Sequence, residues 1–150
     1  MILAIDAATK TGWALIKDGK VYESGVQDFS KRRGESNGAM FLKFRNWIGR
    51  MLDLPGITFV TYEQTFSRSQ AATEILENLR GRVQKECAAR NIEYAPVYAT
   101  ELKKWACGSG KADKGQMMAR AVALLGRPPL DDNEADACLM GAWAFEEYGK

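Results

Sequence analysis

The sequence predicts an α/β protein with a mixed five-stranded sheet flanked by α-helices, and three observations carry that expectation. Ile2, Leu3, Ala4 and Ile5 form an apolar run of strand length that stops at Asp6, the signature of a strand buried on both faces. Asp18-Gly19 stands between two strand-like runs and marks a tight hairpin. From residue 36 onward, helix-period and strand-like segments alternate, which implies strands added in parallel.

Taken in order, the first strand spans Met1 to Ala7, Lys10-Thr11-Gly12 reads as a turn, and Trp13 to Ile16 is a second strand. Val21 to Phe29 is a third, followed by a polar, basic loop over residues 30–37. Ser36 or Asn37 can cap a helix reaching about Leu54, with Met40, Phe41, Phe44, Trp47, Ile48 and Met51 on one face. Pro55-Gly56 ends it, Ile57 to Tyr62 is a buried strand, and Glu63 sits at its C-terminal end. Ser67 to Arg90 is a long helix with a stripe of Ala72, Ile75, Leu76, Leu79 and Val83; Ile92 to Val97 is a short strand. Helices follow near Ala99–Ala106 and Lys111–Leu125. Gly126 to Leu130, with Pro128-Pro129, breaks the chain before a last helix over Asp132–Tyr148. There is no repeat or linker, so residues 1–150 read as a single domain. Trp13, Trp47, Trp105 and Trp143 read as core.

Composition narrows the chemistry. The 150 residues are 46% hydrophobic and 27% charged, an ordinary globular balance. No run approaches the roughly 18 apolar residues of a membrane span, and the N-terminus lacks the basic start of a signal peptide, so a cytoplasmic location (bacterial, or a phage-infected host) is expected. There is no histidine, which excludes Ser-His-Asp and Cys-His catalysis and histidine-ligated zinc. Cys87, Cys107 and Cys138 are scattered, with no CxxC pair, and read as structural. Residues 131–136, Asp-Asp-Asn-Glu-Ala-Asp, hold four carboxylates. The remaining chain has 21 basic against 15 acidic residues, a net +6. A basic body around one concentrated acidic spot suits a polyanion binder that holds a cation.

The acidic residues form a pattern. Asp6 and Glu63 end buried strands at the rim where α/β sites form. Asn133 and Asp136, at i and i+3, share a helix face, as do Asp132 and Asp136 at i and i+4. Singly, each has an ordinary reading: a turn residue, or an acidic helix start favoured by the helix dipole. Together they read as a site. Clustered carboxylates need a cation, and oxygen ligands select hard ions such as Mg²⁺ or Mn²⁺. Two such ions about 4 Å apart stabilise both oxygens exchanged in phosphodiester hydrolysis. Gly108 and Gly110 before Lys111 suggest a phosphate loop, but the spacing is not that of a P-loop and no strand precedes it. No nucleotide cofactor is expected.

The motifs Ile-Leu-Ala-Ile-Asp6 with Thr-Gly-Trp, Tyr-Glu63-Gln-Thr-Phe66, Gly110-Lys111-Ala-Asp-Lys114 and Glu-Ala-Asp136-Ala occur in this order across nearly the whole chain. In them the sequence resembles RuvC-type Holliday junction resolvases of the RNase H-like superfamily; the compact length looks more like a bacteriophage branch. The resemblance implies an RNase H-like fold and metal ligation by Asp6, Glu63 and Asp136. The family usually places another Asp, or a His, three residues before the last ligand. This chain has Asn133 there, and Asp132 is the alternative fourth ligand.

The resemblance also implies Lys114 as a catalytic lysine near the scissile phosphate, with Lys103 as a second functional lysine. Lys111 and Lys104 are expected as phosphate contacts. Phe66 matches an aromatic that stacks on unpaired bases at the junction centre, an interaction worth roughly 1–3 kcal/mol. Arg68, Arg80, Arg32 and Arg33 are candidate DNA-backbone contacts. The expected activity is a Mg²⁺-dependent endonuclease (Mn²⁺ substituting, two ions per site) that nicks four-way junctions symmetrically. Symmetric cuts imply a homodimer, with the long helix after Glu63 as interface. Alternatives are a broader flap and fork debranching nuclease, an RNase H-like enzyme cleaving hybrids, and a non-catalytic junction-binding protein. The start of the chain is also similar to sugar-kinase-like ATPases, which need a second phosphate-binding domain that this length does not hold.

Overall fold

The structure is a computed structural model that describes residues 1–64 and 69–149. Its strands are β1 (Ile2–Asp6), β2 (Lys10–Lys17), β3 (Lys20–Asp28), β4 (Phe59–Gln64) and β5 (Glu93–Tyr98). Its helices are α1 (Asn37–Leu52), α2 (Gln70–Ala89), α3 (Ala99–Cys107), α4 (Lys114–Leu125) and α5 (Asp132–Tyr148). The strands form one sheet in the order β3-β2-β1-β4-β5. β1, β2 and β3 pair antiparallel, whereas β4 joins β1 and β5 joins β4 in parallel. The expected mixed five-stranded sheet is therefore present, with β1 at its centre.

Local chemistry explains most boundaries. Asp18 and Gly19 both take positive φ (52° and 78°), as the tight β2–β3 turn requires. Ser36 caps α1 by accepting from the Ala39 amide, Ser69 caps α2 by accepting from Ala72, and Asp113 caps α4 within a reciprocal capping box with Gln116. Several boundaries shift by one or two residues, β4 among them (Phe59–Gln64 rather than Ile57–Tyr62), and two larger differences have a visible cause. Lys10-Thr11-Gly12 is not a turn but the start of β2, paired with Asp6 at Gly12; the reversal falls on Ala7–Thr9, where Thr11 Oγ1 donates to the Ala8 carbonyl at 2.6 Å. The helix expected from Lys111 begins at Lys114, because the Asp113 cap stops it from starting earlier.

The pleat sorts the core into two layers. Ile2 and Ala4 of β1 join Phe59, Leu102, Met117, Leu139, Met140 and Trp143 beneath α3, α4 and α5. Leu3 and Ile5 point the other way and join Phe44, Trp47, Ile48, Leu79 and Val83 of α1 and α2. Burying each large side chain of this kind contributes about 1.5–3 kcal/mol. Trp47 and Trp143 are buried as expected; Trp13 and Trp105 are only half-buried. Helix α5 lies against four strands and is buried along most of its length. Gly141 permits this approach, since a Cβ there would stand 2.4 Å from Ile16 Cγ1.

Candidate active site

Pleat alternation aims the two strand-end acids. Asp6 continues the Ile2–Ala4 row of β1 towards α5, and Glu63 continues the row of Phe59 on β4. The parallel register pairs Ile5 with Tyr62, so Asp6 and Glu63 emerge side by side. Asp131 caps α5 by accepting from the Glu134 amide, and Asp136 stands just inside the first turns. Carboxylate oxygens of Asp6, Glu63 and Asp136 all lie within 4.8 Å of one another. β2 holds the start of α5 in place: Asn133 Nδ2 donates to the Lys10 carbonyl at 2.7 Å. Gly12 clears the way, because a Cβ there would stand 1.9 Å from the Asn133 carbonyl oxygen.

Electrostatics set this cluster apart. Burial, then the charges of Glu63, Asp136 and Asp131, push Asp6 well above the ordinary carboxylate range. Burial, then Glu63 and Asp132, pushes Asp136 up to about 7. Glu63 is also raised by burial, with Lys103 and Arg80 opposing the rise. Burial and mutual repulsion both disfavour the charged forms. A hard cation among these oxygens would reverse that penalty, so the donor set fits a divalent metal.

Glu63 and Asp136 open into a cavity of about 630 Å³ whose other walls include Lys103, Lys114, Asp132 and Asn133. Lys114 extends into solvent, 90% exposed, with Nζ 3.7 Å from an Asp132 oxygen. Lys103 is half-buried and its charge acts on both Glu63 and Asp136. The second lysine is thus tied more closely to the carboxylates than the sequence order of preference implied. Asp132 lies on the cavity wall, outside the cluster of three. Lys111 is exposed and does not line the cavity. Arg32 and Arg33 are exposed. Phe66 and Arg68 lie outside the described residues.

Two features escaped the sequence reading. Arg80 is not a surface contact: it is 6% exposed, and its charge acts on Asp6 and Glu63 from α2. An arginine in an amphipathic helix that also carries Arg82 and Lys85 gives no signal of this. Glu134 is not part of a solvated acidic helix start. It has no exposure and is bound by Arg127, Ser24 and the Leu130 amide.

Comparison with known proteins places this arrangement. A RuvC crossover junction endodeoxyribonuclease from Nitrobacter hamburgensis is 31% identical over 140 residues, covering 91% of this chain and 81% of the relative. One from Oleidesulfovibrio alaskensis is 30% identical over 137 residues, covering 83% and 77%. The chain belongs to the RuvC family. No protein-family model matches it. Among solved structures, Thermus thermophilus RuvC superposes with a TM-score of 0.80 at 15% identity, covering 99% of this chain and 96% of that one. The same protein in complex with a Holliday junction substrate gives 0.81, covering 99% and 95%. A fowlpox virus resolvase bound to Holliday junction DNA gives 0.63 at 13% identity, covering 98% and 99%. These likenesses confirm the RNase H-like fold. RuvC membership makes the chain a crossover junction endodeoxyribonuclease and implies a divalent metal, for which the acidic cluster offers oxygen donors. Among the described residues, no helix is long and apolar enough to cross a membrane.

Proposed function

We propose that this chain resolves four-way DNA junctions by paired symmetric nicks, with Asp6, Glu63 and Asp136 as metal ligands and Mg²⁺ as the resident ion, two per site. The observation that carries this is the convergence of three half-buried carboxylates, two of them opening into the cavity, in a RuvC-family chain without histidine. A divalent ion held there supplies the Lewis acidity that activates water and stabilises charge on the scissile phosphate. The chain's own residues do the rest. The strand ends fix Asp6 and Glu63, and α5 brings Asp136 against them. Lys103 and Lys114 give the cavity positive charge for the phosphate backbone, and Lys114 is free to follow the developing charge. Phe66 and Arg68, Lys111 and the exposed Arg32 and Arg33 extend the DNA contact.

Branched DNA is the proposed substrate, and a homodimer the proposed working form, because paired cuts need two sites. The partly exposed apolar residues Ala72, Ile75 and Leu76 on α2 support α2 as the interface.

The test is cleavage of a labelled mobile four-way junction in Mg²⁺, with EDTA and Asp6→Asn controls. Symmetric paired nicks, lost in both controls, are expected. Tight junction binding without nicks in either Mg²⁺ or Mn²⁺ would overturn the catalytic reading and leave a junction-binding module.

A further inference from the structure

Glu134 is a carboxylate with no solvent exposure, placed two residues before Asp136. Its oxygens receive four hydrogen bonds. Oε2 accepts from Ser24 Oγ at 2.7 Å and Arg127 Nη2 at 2.8 Å; Oε1 accepts from the Leu130 amide at 2.6 Å and Arg127 Nη1 at 3.2 Å. Arg127 Nη2 also donates to Ser24 Oγ at 3.2 Å, and Arg127 Nη1 to the Pro128 carbonyl at 3.0 Å. This single side chain therefore joins β3, the turn between α4 and α5, and the first turn of α5. The pair is buried only on the Glu134 side, with the Arg127 side chain 47% exposed. Such a pair is weak evidence for stability, because apolar residues of similar volume would serve as well. Its geometry therefore points to what it orients.

Two residues turn a helix by about 200°, so Glu134 and Asp136 leave α5 on nearly opposite sides. Glu134 anchors one side to β3, while Asp136 faces Asp6 and Glu63 on β1 and β4. Between them, Asn133 is tied to β2 through the Lys10 carbonyl. Three carboxylates within 4.8 Å repel when no cation is present, and that force pushes α5 away from the sheet. The Glu134 anchor opposes the push. Arg127 neutralises its charge, so the anchor adds no further negative field to the site.

We infer that Ser24, Glu134 and Arg127 form a positioning device that fixes the rotation and depth of the first turn of α5. It thereby holds Asp136 at ligating distance and sets the affinity for the divalent ion. The inference rests on the metal-centre reading above. Outer partners that orient metal ligands typically contribute 10–100-fold in affinity.

The experiment is Mn²⁺ titration of the metal-free full chain by calorimetry, paired with its thermal midpoint. Glu134→Gln is expected to bind Mn²⁺ about 10–100-fold more weakly, and higher Mn²⁺ should restore its junction cleavage. Ser24→Ala keeps the Arg127–Glu134 pair and should weaken binding by a smaller factor. Phe44→Leu, in the core layer under α1, should lower the midpoint without changing Mn²⁺ affinity. A Glu134→Gln protein that is destabilised yet binds Mn²⁺ like the wild type would reduce Glu134 to a structural role. If Glu134→Gln does not fold, Ser24→Ala decides, and unchanged affinity there overturns the inference. A wild-type chain that binds no Mn²⁺ at all would overturn the metal-centre reading, and this one with it.

Discussion

Glu134 and Asp136 stand two residues apart on one helix, and the protein treats them in opposite ways. Burial pushes Glu134 up, but hydrogen bonds from Arg127, the Leu130 amide and Ser24 outweigh it and hold its pKa below the usual glutamate value. Asp136 is pushed by burial and by Glu63 and Asp132 to about 7, and Lys103 and Lys114 offset this only in part. The same fold that saturates one acid leaves the other short of positive charge beside two more carboxylates. A chain that can satisfy a fully buried glutamate could satisfy a partly buried aspartate as well. The imbalance at Asp136 is therefore best read as room kept for a cation.

The largest expected effect breaks this contrast at its active end. Asp6→Asn or Asp136→Asn should lower junction cleavage by more than about 100-fold, beyond what loss of an outer partner of a metal typically causes. In EDTA the same variants should melt at a higher temperature than the wild type, because each removes a repelling buried charge. Glu134→Gln should do the reverse and lose about 2 kcal/mol of stability, the scale of a charged hydrogen bond. For a chain of this size that is a melting point lower by roughly 4–8 °C. Thermal melts with and without EDTA, beside a cleavage assay, check both arms.

Gly12→Ala should disturb both acids at once. Its Cβ would meet the Asn133 carbonyl at 1.9 Å and the Glu134 amide nitrogen at 2.7 Å, both backbone atoms that cannot swing aside. Overpacking of this kind costs about 1–3 kcal/mol. The displaced α5 should carry Asp136 away from Asp6, so Mn²⁺ affinity should fall together with the melting point. A Gly12→Ala protein with normal Mn²⁺ affinity would show that the start of α5 has more freedom than these contacts imply.

The contrast also shows which parts of the molecule were legible in the sequence. The apolar run before Asp6, the Asp18-Gly19 hairpin and the alternation after residue 36 are local signals, and they located the sheet, its mixed pairing and all five helices. Strand ends and helix spacing made Asp6, Glu63 and the acidic start of α5 legible as one cluster, whereas the choice of Asp136 as its third member came from the family resemblance. Glu134 was not, because its partners are 110 residues away at Ser24 and in the turn that holds Arg127. Within its own segment it looks like any acid at a helix start. Lys10-Thr11-Gly12 misled for a related reason: Gly12 looks like a turn glycine, yet it sits inside a strand to admit the backbone of α5. Arg80 belongs to the same class, a charge whose burial is decided by packing between elements.

A pH series sharpens the comparison more gently. Asp136 has a folded pKa raised from 3.8 to about 7, so between those values the folded chain binds more protons than the unfolded one. Stability should then fall as pH rises through that window. Groups with lowered folded values, Glu134 among them, act the opposite way, but their change is complete once pH exceeds about 5. Between pH 5 and 8 the metal-free chain should therefore melt at steadily lower temperature, and Mg²⁺ should raise the melting point most at pH 8. Asp136→Asn should make the EDTA series shallower, with Asp6 and Glu63, also raised by burial, keeping the remaining slope. A flat wild-type series would mean that the cluster is already neutralised by the surrounding cations.

The smallest effects concern the position where the resemblance implies another Asp, or a His. Asn133 offers an amide oxygen without charge, and its Nδ2 is already committed to the Lys10 carbonyl. Asp132 has a charge, but its side chain is 56% exposed and its carboxylate sits beside Lys114, outside the cluster of three. Asn133→Asp should cost about 1 kcal/mol through the lost hydrogen bond. It should bind Mn²⁺ several-fold more tightly, since a fourth charge joins the donors. Asp132→Asn should stay within about 0.5 kcal/mol in stability, as solvent-screened surface changes do. Its Mn²⁺ affinity should scarcely move. Calorimetric titration of both variants separates the two positions. If Asp132→Asn instead lost most of the Mn²⁺ affinity, the first turn of α5 would have to rewind on metal binding to bring Asp132 inward. The Lys10–Asn133 bond would then mark only the metal-free form.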